Sequence, residues 1–426
     1  MAFRAKKVIK NITTLFLGNS VAEIIALCSY PFLARLYSPH DFGDMTVLWA
    51  YCSSFSAMAC WRMESVIVIE KDNSKARKVT EICVFGAYLL VFILALIGVT
   101  IFFIPSLNNL ITGHLSNLFW ALPATVLASG LHLMLTHWAI RQNKYRAISV
   151  SRMLAVINSA IVKISYGFHY GSSYIILLIS NILSLVVQII ILLPVFINSK
   201  PKPGNRSTDE FKFTSIIKEY KAFPTVQLAT TFMSTLTFNL PNIFLAIFYS
   251  SEIVGYFGFA FALLVRPVTV LADSLAKVLL KEISVSVPVD RVKYGLKMTV
   301  AIAILTAPFF VIFAYYAIPI FIFVFGEEWA EAGYYAQLLS IWLYGRLAII
   351  PATQLILVSK LLTYNFWYTL IESISRVALI VIMGWMTFSA DTVIAAYAVM
   401  GFLLQLIYIT GAFAVAKKSY KRANDE

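Results

Sequence analysis

A chain of 426 residues that is 60% hydrophobic and 13% charged, with a mean hydropathy of +0.81, is too apolar to keep a soluble surface in solution. A bilayer is the solvent that such a composition fits. The net charge of +13 does not point to nucleic acid, because the basic residues lie between apolar runs and not on one compact domain.

The chain opens on Phe3-Arg4-Ala5-Lys6-Lys7, which resembles the charged start of a signal peptide. The apolar stretch behind it, 12–36, is longer than a signal h-region and has no clear cleavage site, so it is read as a retained first span. Polar breaks set off further apolar runs at 44–69, 81–104, 117–140, 150–168 and 173–197. The hydrophilic, flexible stretch Lys200-Pro201-Lys202-Pro203-Gly204-Asn205-Arg206-Ser207-Thr208 comes next. Beyond it lie 223–248, 254–277, 298–324, 333–358, 363–388 and 391–416. A helix crosses hydrocarbon in about 20 residues, so the expectation is an all-α polytopic membrane protein of about twelve transmembrane helices. The domains expected are a six-helix lobe over 1–200, a cytoplasmic linker over 201–222 and a second six-helix lobe over 223–426.

Charge orients the spans. The segments 1–10, 70–80, 141–152, 198–222, 277–297, Lys360 and 417–426 hold 28 of the 34 basic residues, and the six alternate loops hold none. Basic loops stay in the cytoplasm, so both termini are expected there. Phe32-Leu33-Ala34, Tyr37-Ser38 and Gly43 recur as Phe244-Leu245-Ala246, Tyr249-Ser250 and Gly255 at one offset of 212. A duplication of six spans keeps the same topology in both halves. It implies a pseudo-twofold axis along the membrane normal, with a cavity between the lobes suited to alternating access.

Chemistry-bearing motifs are scarce. There is no G-x-x-x-x-G-K-[ST] phosphate loop, no H-E-x-x-H, no C-x-x-C and no G-x-S-x-G, so neither a cofactor nor a catalytic metal is expected. Cys28, Cys52, Cys60 and Cys83 fall inside apolar runs and read as free packing thiols. The five histidines are scattered; His132 and His137 share no helix face.

Six basic residues remain within the spans: Arg35, Arg62, Lys163, Arg266, Arg346 and Arg376. Each costs about 2.5–3.5 kcal/mol to insert. At about 1.5 Å per residue, Arg266, Arg346 and Arg376 lie roughly 18 Å below the outer ends of their helices, near the midplane. Arg35 is near the outer surface, where it can snorkel, and Lys163 is close to it. Glu372 and Arg376 form an i,i+4 pair that can neutralise itself. In a helix, Arg62 and Glu64 are two apart and do not face each other. Helical spacing gives Arg266 and Arg346 no obvious partner on their own helices. Two readings stay open: purely structural charges, or a positive cavity for an anionic ligand. Arginine suits phosphate because its fork meets two oxygens at once.

These residues carry a resemblance. The blocks are Gly18-Asn19-Ser20, Ala34-Arg35-Leu36-Tyr37-Ser38-Pro39-His40-Asp41-Phe42-Gly43, Arg62-Met63-Glu64-Ser65, Trp138-Ala139-Ile140-Arg141-Gln142-Asn143 and Phe325-Gly326-Glu327-Glu328-Trp329 leading to Trp342 and Arg346. In order and spacing they resemble the Wzx-type oligosaccharide flippases, in the superfamily that also holds the MATE multidrug exporters and the lipid II flippase. Met63 stands where such sequences have tyrosine, which alters an expected cavity neighbour, and Glu70 where they often have proline.

The resemblance implies translocation of undecaprenyl-pyrophosphate-linked sugar units across the bacterial inner membrane for O-antigen or capsule assembly. Its implied partners are the lipid-linked oligosaccharide, the bilayer, a polysaccharide polymerase and a chain-length regulator, with no nucleic acid. Arg62, Arg266 and Arg346 would hold the pyrophosphate, with Arg376, Lys163 and Arg35 as further cavity cations. Glu23, Glu64 and Glu372 are the candidates for coupling an ion. Two rivals are weighed. A MATE-like exporter of small cations needs acidic residues to dominate the cavity. A membrane polymerase or ligase needs a large outer loop, and no outer loop here exceeds about a dozen residues.

Overall fold

The computed structural model describes residues 2–103, 117–199, 212–285, 288–359 and 361–425. Every regular element among them is helical. In chain order these are α1 (Ala2–Leu36), α2 (Pro39–Ser56), α3 (Glu64–Ile69), α4 (Asn73–Phe103), α5 (Leu118–Arg141), α6 (Tyr145–Tyr170), α7 (Tyr174–Ile197), α8 (Phe213–Glu219) and α9 (Leu228–Phe248). They continue with α10 (Ser251–Val285), α11 (Pro288–Phe325), α12 (Ala330–Ala348), α13 (Ile350–Val358), α14 (Leu362–Trp385) and α15 (Ala390–Asp425).

Ten helical stretches among the described residues are long and apolar enough to cross a membrane. The expected first span, 12–36, begins in the part of α1 whose side chains lie outside the described residues. The expected second span is not among the ten. The second is not one helix. Residues 57–63 leave the α-helical path, and Trp61 and Arg62 have φ of 52° and 61°. The apolar run 333–358 is likewise divided, into α12 and α13, where Pro351 near the start of α13 cannot donate a backbone N–H. At the end of α11, Gly326 takes φ 108°, which a side chain would resist, and turns the chain into α12.

The chain divides into two compact units, Met1–Ile243 and Phe244–Glu426, and the division falls inside α9. Within the first unit α4 packs on α5, α5 and α6 each pack on α7, α2 on α5 and α1 on α6. Within the second, α11 packs on α12, α12 and α14 each on α15, and α10 on α12. The third, fourth, fifth and sixth helical stretches of each unit thus pair in the same scheme. The duplicated tyrosine has the same task in both. The Tyr37 hydroxyl donates to the Lys163 carbonyl at 2.7 Å, and the Tyr249 hydroxyl donates to the Phe388 carbonyl at 2.7 Å. Beside each tie a glycine admits an aromatic ring. A Cβ on Gly167 would lie 3.0 Å from the Tyr37 ring, and one on Gly384 would lie 2.6 Å from the Phe248 ring.

The last part of the expected linker is ordered. Ile216 of α8 is 1% exposed, in a core with Met63, Ile67, Val79 and Trp138. Phe213 meets Phe85 edge-on at 5.3 Å. A polar clasp closes over this core. Lys75 Nζ contacts Glu70 at 3.0 Å and Glu219 at 2.7 Å, and the Tyr220 hydroxyl donates to Glu70 at 2.7 Å. Arg141 donates to the carbonyls of Ile67 and Glu70 and to Asn73 Oδ1, satisfying the end of α3. Glu70, the departure from proline, is therefore the anchor of the clasp.

Burial would raise the Glu70 carboxyl. Hydrogen bonds from the Asp72 N–H, Tyr220 and Lys75, together with the Lys75 charge, outweigh it and hold the pKa down at about 2. A folded-state pKa below the ordinary carboxylate value adds stability above about pH 4.5, and that stability is lost as pH falls toward 2. Glu70→Gln is expected to lower the melting temperature of the detergent-solubilised protein at pH 7, by an amount equivalent to about 1–3 kcal/mol. The gap from wild type should close as pH falls below 4. A gap independent of pH would refute the clasp.

Candidate functional site

In the first unit the interruption between α2 and α3 builds the site. Turns of the i→i+3 kind carry the chain through it, from Met58 N–H to Phe55 O through to Met63 N–H to Cys60 O. Left-handed backbone at two consecutive non-glycine residues costs of order 1–3 kcal/mol each. Tight packing offsets this. Cys60 donates from Sγ to the Gly130 carbonyl at 3.2 Å, and Gly130 itself has no room for a Cβ, with Ala87 Cβ 2.8 Å away.

Out of this turn comes an ion pair: Arg62 Nη1 lies 3.1 Å from Glu64 Oε1. The expectation that these two do not face each other is corrected here. It assumed helical spacing, and Arg62 is not helical. Glu64 is 1% exposed, whereas the Arg62 side chain is 31% exposed. Arg62 Nε and Glu64 Oε2 have no hydrogen-bond partner in the protein. Met63, expected to neighbour a cavity, is 0% exposed and belongs to the core instead. Non-helical backbone at membrane depth is tolerated where it is buried in protein or lines a cavity, so the strain is consistent with a working element. Next to it, Asn239 donates to Ser53 Oγ and Ser54 Oγ, each at 3.0 Å.

The other expected residues of this unit stand on α1 and α6. Glu23 pairs with Arg152 across α1 and α6. Lys163 donates to Asn181 at 2.9 Å. Arg35 is exposed at the end of α1. Arg152 had been counted with the cytoplasmic loops. Because α6 begins at Tyr145, it stands two turns inside a helix. The available signal was Glu23, an acid in the first span that required a partner.

In the second unit two stripes face each other. Tyr364, Tyr368, Glu372 and Arg376 recur every fourth residue on α14, and Tyr397, Gly401, Gln405 and Tyr408 form one face of α15. The helices pack together, with the Tyr368 and Tyr408 rings 4.4 Å apart. Trp342 and Arg346 come from α12. Arg376 is 8% exposed, pairs with Glu372 at 3.5 Å, and has its Cζ 3.8 Å from the Tyr397 ring centre and 4.6 Å from that of Trp342. Arg346 Cζ lies 5.7 Å from the same Trp342 ring.

The i,i+4 pair read from the sequence is therefore present, and Arg346 joins it. Cation–π contact suits arginine in a desolvated site. Two cations meet one carboxylate, leaving an excess of one positive charge. Arg266 is exposed on α10, next to Pro267. The aromatic partners Trp342 and Tyr397 and the amide of Gln405 were not picked out as site residues. Spacing on α15 could have flagged Tyr397 and Gln405, because polar residues there recur on one face.

The family model for polysaccharide biosynthesis proteins matches residues 32–333. No curated protein sequence matches. Among solved structures, the lipid II flippase MurJ in an inward closed conformation aligns with a TM-score of 0.68 and 15% identity, over 95% of this chain and 89% of its own. An inward-facing MATE family multidrug resistance transporter of the MOP superfamily aligns with a TM-score of 0.58 and 13% identity, over 95% of each chain. A MOP superfamily transporter from Pyrococcus furiosus aligns with a TM-score of 0.55 and 12% identity, over 97% of this chain and 96% of its own. At such identities the likeness establishes the fold: this chain has the helical architecture of these transporters.

Proposed function

The chain belongs to the polysaccharide biosynthesis protein family, and from that premise we propose that it is a flippase carrying undecaprenyl-pyrophosphate-linked oligosaccharide repeat units from the cytoplasmic to the outer leaflet of a bacterial inner membrane. Both termini stay in the cytoplasm. The product feeds O-antigen or capsular polysaccharide assembly, where a polymerase and a chain-length regulator take it over. The observation that carries the reading is the excess of cations over carboxylates at Arg346, Arg376 and Glu372, inside a multi-pass fold of the flippase and transporter kind. An exporter of small cations would need the opposite balance.

Transport by alternating access needs no reacting residue. The cations hold the anionic substrate in hydrocarbon, where an unpaired phosphate is prohibitively costly. Arg62, Arg266 and Arg346 act on the pyrophosphate, Arg376 and Lys163 assist on the anionic substrate, and Arg35 lies at the outer end of the path. The membrane potential favours outward movement of anions by about 2.3 kcal/mol per charge per 100 mV. Glu64 and Glu372, each beside an arginine, and Glu23 beside Arg152 are the carboxylates where a coupled cation would act.

The sidedness of the lipid-linked intermediate in a deletion strain tests this. Repeat units confined to the cytoplasmic leaflet are the expected result. Accumulation on the outer side would assign the protein to a polymerase or ligase step instead.

A further inference from the structure

Where α3 and α5 end and α4 and α6 begin, the first unit holds a cavity of about 410 Å³. That lies within the range of about 300–1,000 Å³ usual for small-molecule sites. Its polar lining is Asn73, Gln142, Asn143 and Tyr145, together with Arg141. Val68 and Ile140 add an apolar wall. On the orientation expected from the basic loops, this corner faces the cytoplasm, the side from which a flippase takes its load.

An arginine in a cavity suggests an anion, but the donors of Arg141 are all engaged. Nε donates to Asn73 Oδ1, Nη1 to the carbonyls of Ile67 and Glu70, and Nη2 to the Lys71 carbonyl and Asn73 Oδ1. A guanidinium has no further N–H to give. The segments 70–80 and 141–152 each carry four basic residues, yet Arg141 alone of them lines the cavity. No carboxylate lines it either. The hydrogen-bonding groups left over are neutral. Asn73 turns its oxygen to Arg141, so its amide N–H groups remain to donate. The side chains of Gln142, Asn143 and Tyr145 make no hydrogen bond to the described protein. Their backbone is fixed, because the N–H groups of Gln142, Asn143 and Lys144 close the end of α5 on Trp138, Ile140 and Ala139.

We infer that this cavity is a cytoplasmic subsite for uncharged sugar residues of the transported oligosaccharide. The inference rests on the flippase reading. A carboxamide donates and accepts at once, as does a sugar hydroxyl, so three carboxamides and a phenol suit a hydroxyl-rich ligand. The wall of Val68 and Ile140 suits the C–H face of a pyranose ring. A phosphate would find no donor on Arg141 and would meet the side-chain oxygens of Gln142 and Asn143, which repel it. The subsite holds the sugar at loading, so it governs KM more than kcat.

The test uses the full chain in nanodiscs and ligand-observed saturation-transfer NMR. The probe is the oligosaccharide freed by mild acid from the lipid-linked intermediate of a deletion strain. Asn143 has φ 56°, which glycine adopts freely, so Asn143→Gly removes the amide without straining the turn. Gln142→Leu keeps the size of the side chain and removes its hydrogen bonds. Each variant should weaken binding about threefold or more, and the double variant about tenfold or more. In proteoliposomes the double variant should raise KM for the lipid-linked oligosaccharide by a similar factor, with kcat close to wild type. Recognition by neutral groups is not screened, so the loss should be the same at low and high salt. Equal binding and equal KM in wild type and double variant would overturn the site. So would a difference that high salt abolishes, the mark of an anion site. Should the double variant fold poorly, Asn143→Gly decides alone. Transport with the wild-type KM in the variant sinks this site and leaves the flippase reading standing. Sugar binding that the variant weakens, with no transport by the wild type, keeps the site and sinks the flippase reading.

Discussion

Arg346→Ala is expected to abolish the surface glycan of the producing cell while leaving the amount of protein in the membrane unchanged. Arg346 is half-buried, and its cation lies 5.7 Å from the Trp342 ring centre. The Glu372 carboxylate already has a nearer partner in Arg376, at 3.5 Å. Loss of Arg346 therefore strands no buried charge. It removes a cation that the substrate would use, and truncating one side of a desolvated charge pair costs about 2–5 kcal/mol, about thirtyfold or more in rate. Arg266→Ala is expected to behave in the same way, since an exposed side chain contributes little to folding. Arg376→Ala is the contrast. It takes from the half-buried Glu372 its nearest cation, which costs up to about 3–5 kcal/mol, so protein level should fall together with glycan. Immunoblots beside glycan staining separate the two classes. Normal glycan in both Arg346→Ala and Arg266→Ala would end the cationic account.

Arg62→Gly is expected to abolish glycan export while lowering the melting temperature less than loss of the partner of buried Glu64 would by itself. The residue has φ 61°, a conformation that glycine adopts freely and arginine does not. Relief of that strain offsets part of what is lost with the ion pair to Glu64. The residue is thus held in its position at a cost to folding, as expected of a working side chain. Arg62→Lys keeps the cation, forfeits the bidentate fork and should retain part of the export. If Arg62→Gly instead unfolds the protein, the pair with Glu64 is a structural staple and not a ligand site.

Much of the fold was legible because one signal dominates a membrane chain: apolar run length marked most of the helices. The interruption at 57–63 was not legible, because Ala57-Met58-Ala59-Cys60-Trp61 is as apolar as any helix; tertiary contacts to Gly130 and Ala87 decide its path. That miss propagated to the site. With the break unseen, Arg62 and Glu64 could not be paired, and Met63 was placed on the wrong side of the packing. On α14 the reverse held, since an uninterrupted helix puts Glu372 and Arg376 one turn apart. Arg346 joined them only through the packing of α12 among its neighbours, which no spacing within one helix encodes. Arg152 was hidden by its nearness to a loop, although Glu23 needed a partner.

The most direct test of the central claim is transbilayer movement of an undecaprenyl-pyrophosphate-linked oligosaccharide in proteoliposomes made with the purified chain. The readout is access of an added, membrane-impermeant glycosidase to the sugar. Wild-type protein should bring the inner-leaflet pool within reach of the enzyme, and Arg346→Ala should leave it protected. A protected pool that is the same with wild-type protein as in protein-free vesicles, with an imposed potential of either sign, would contradict the account.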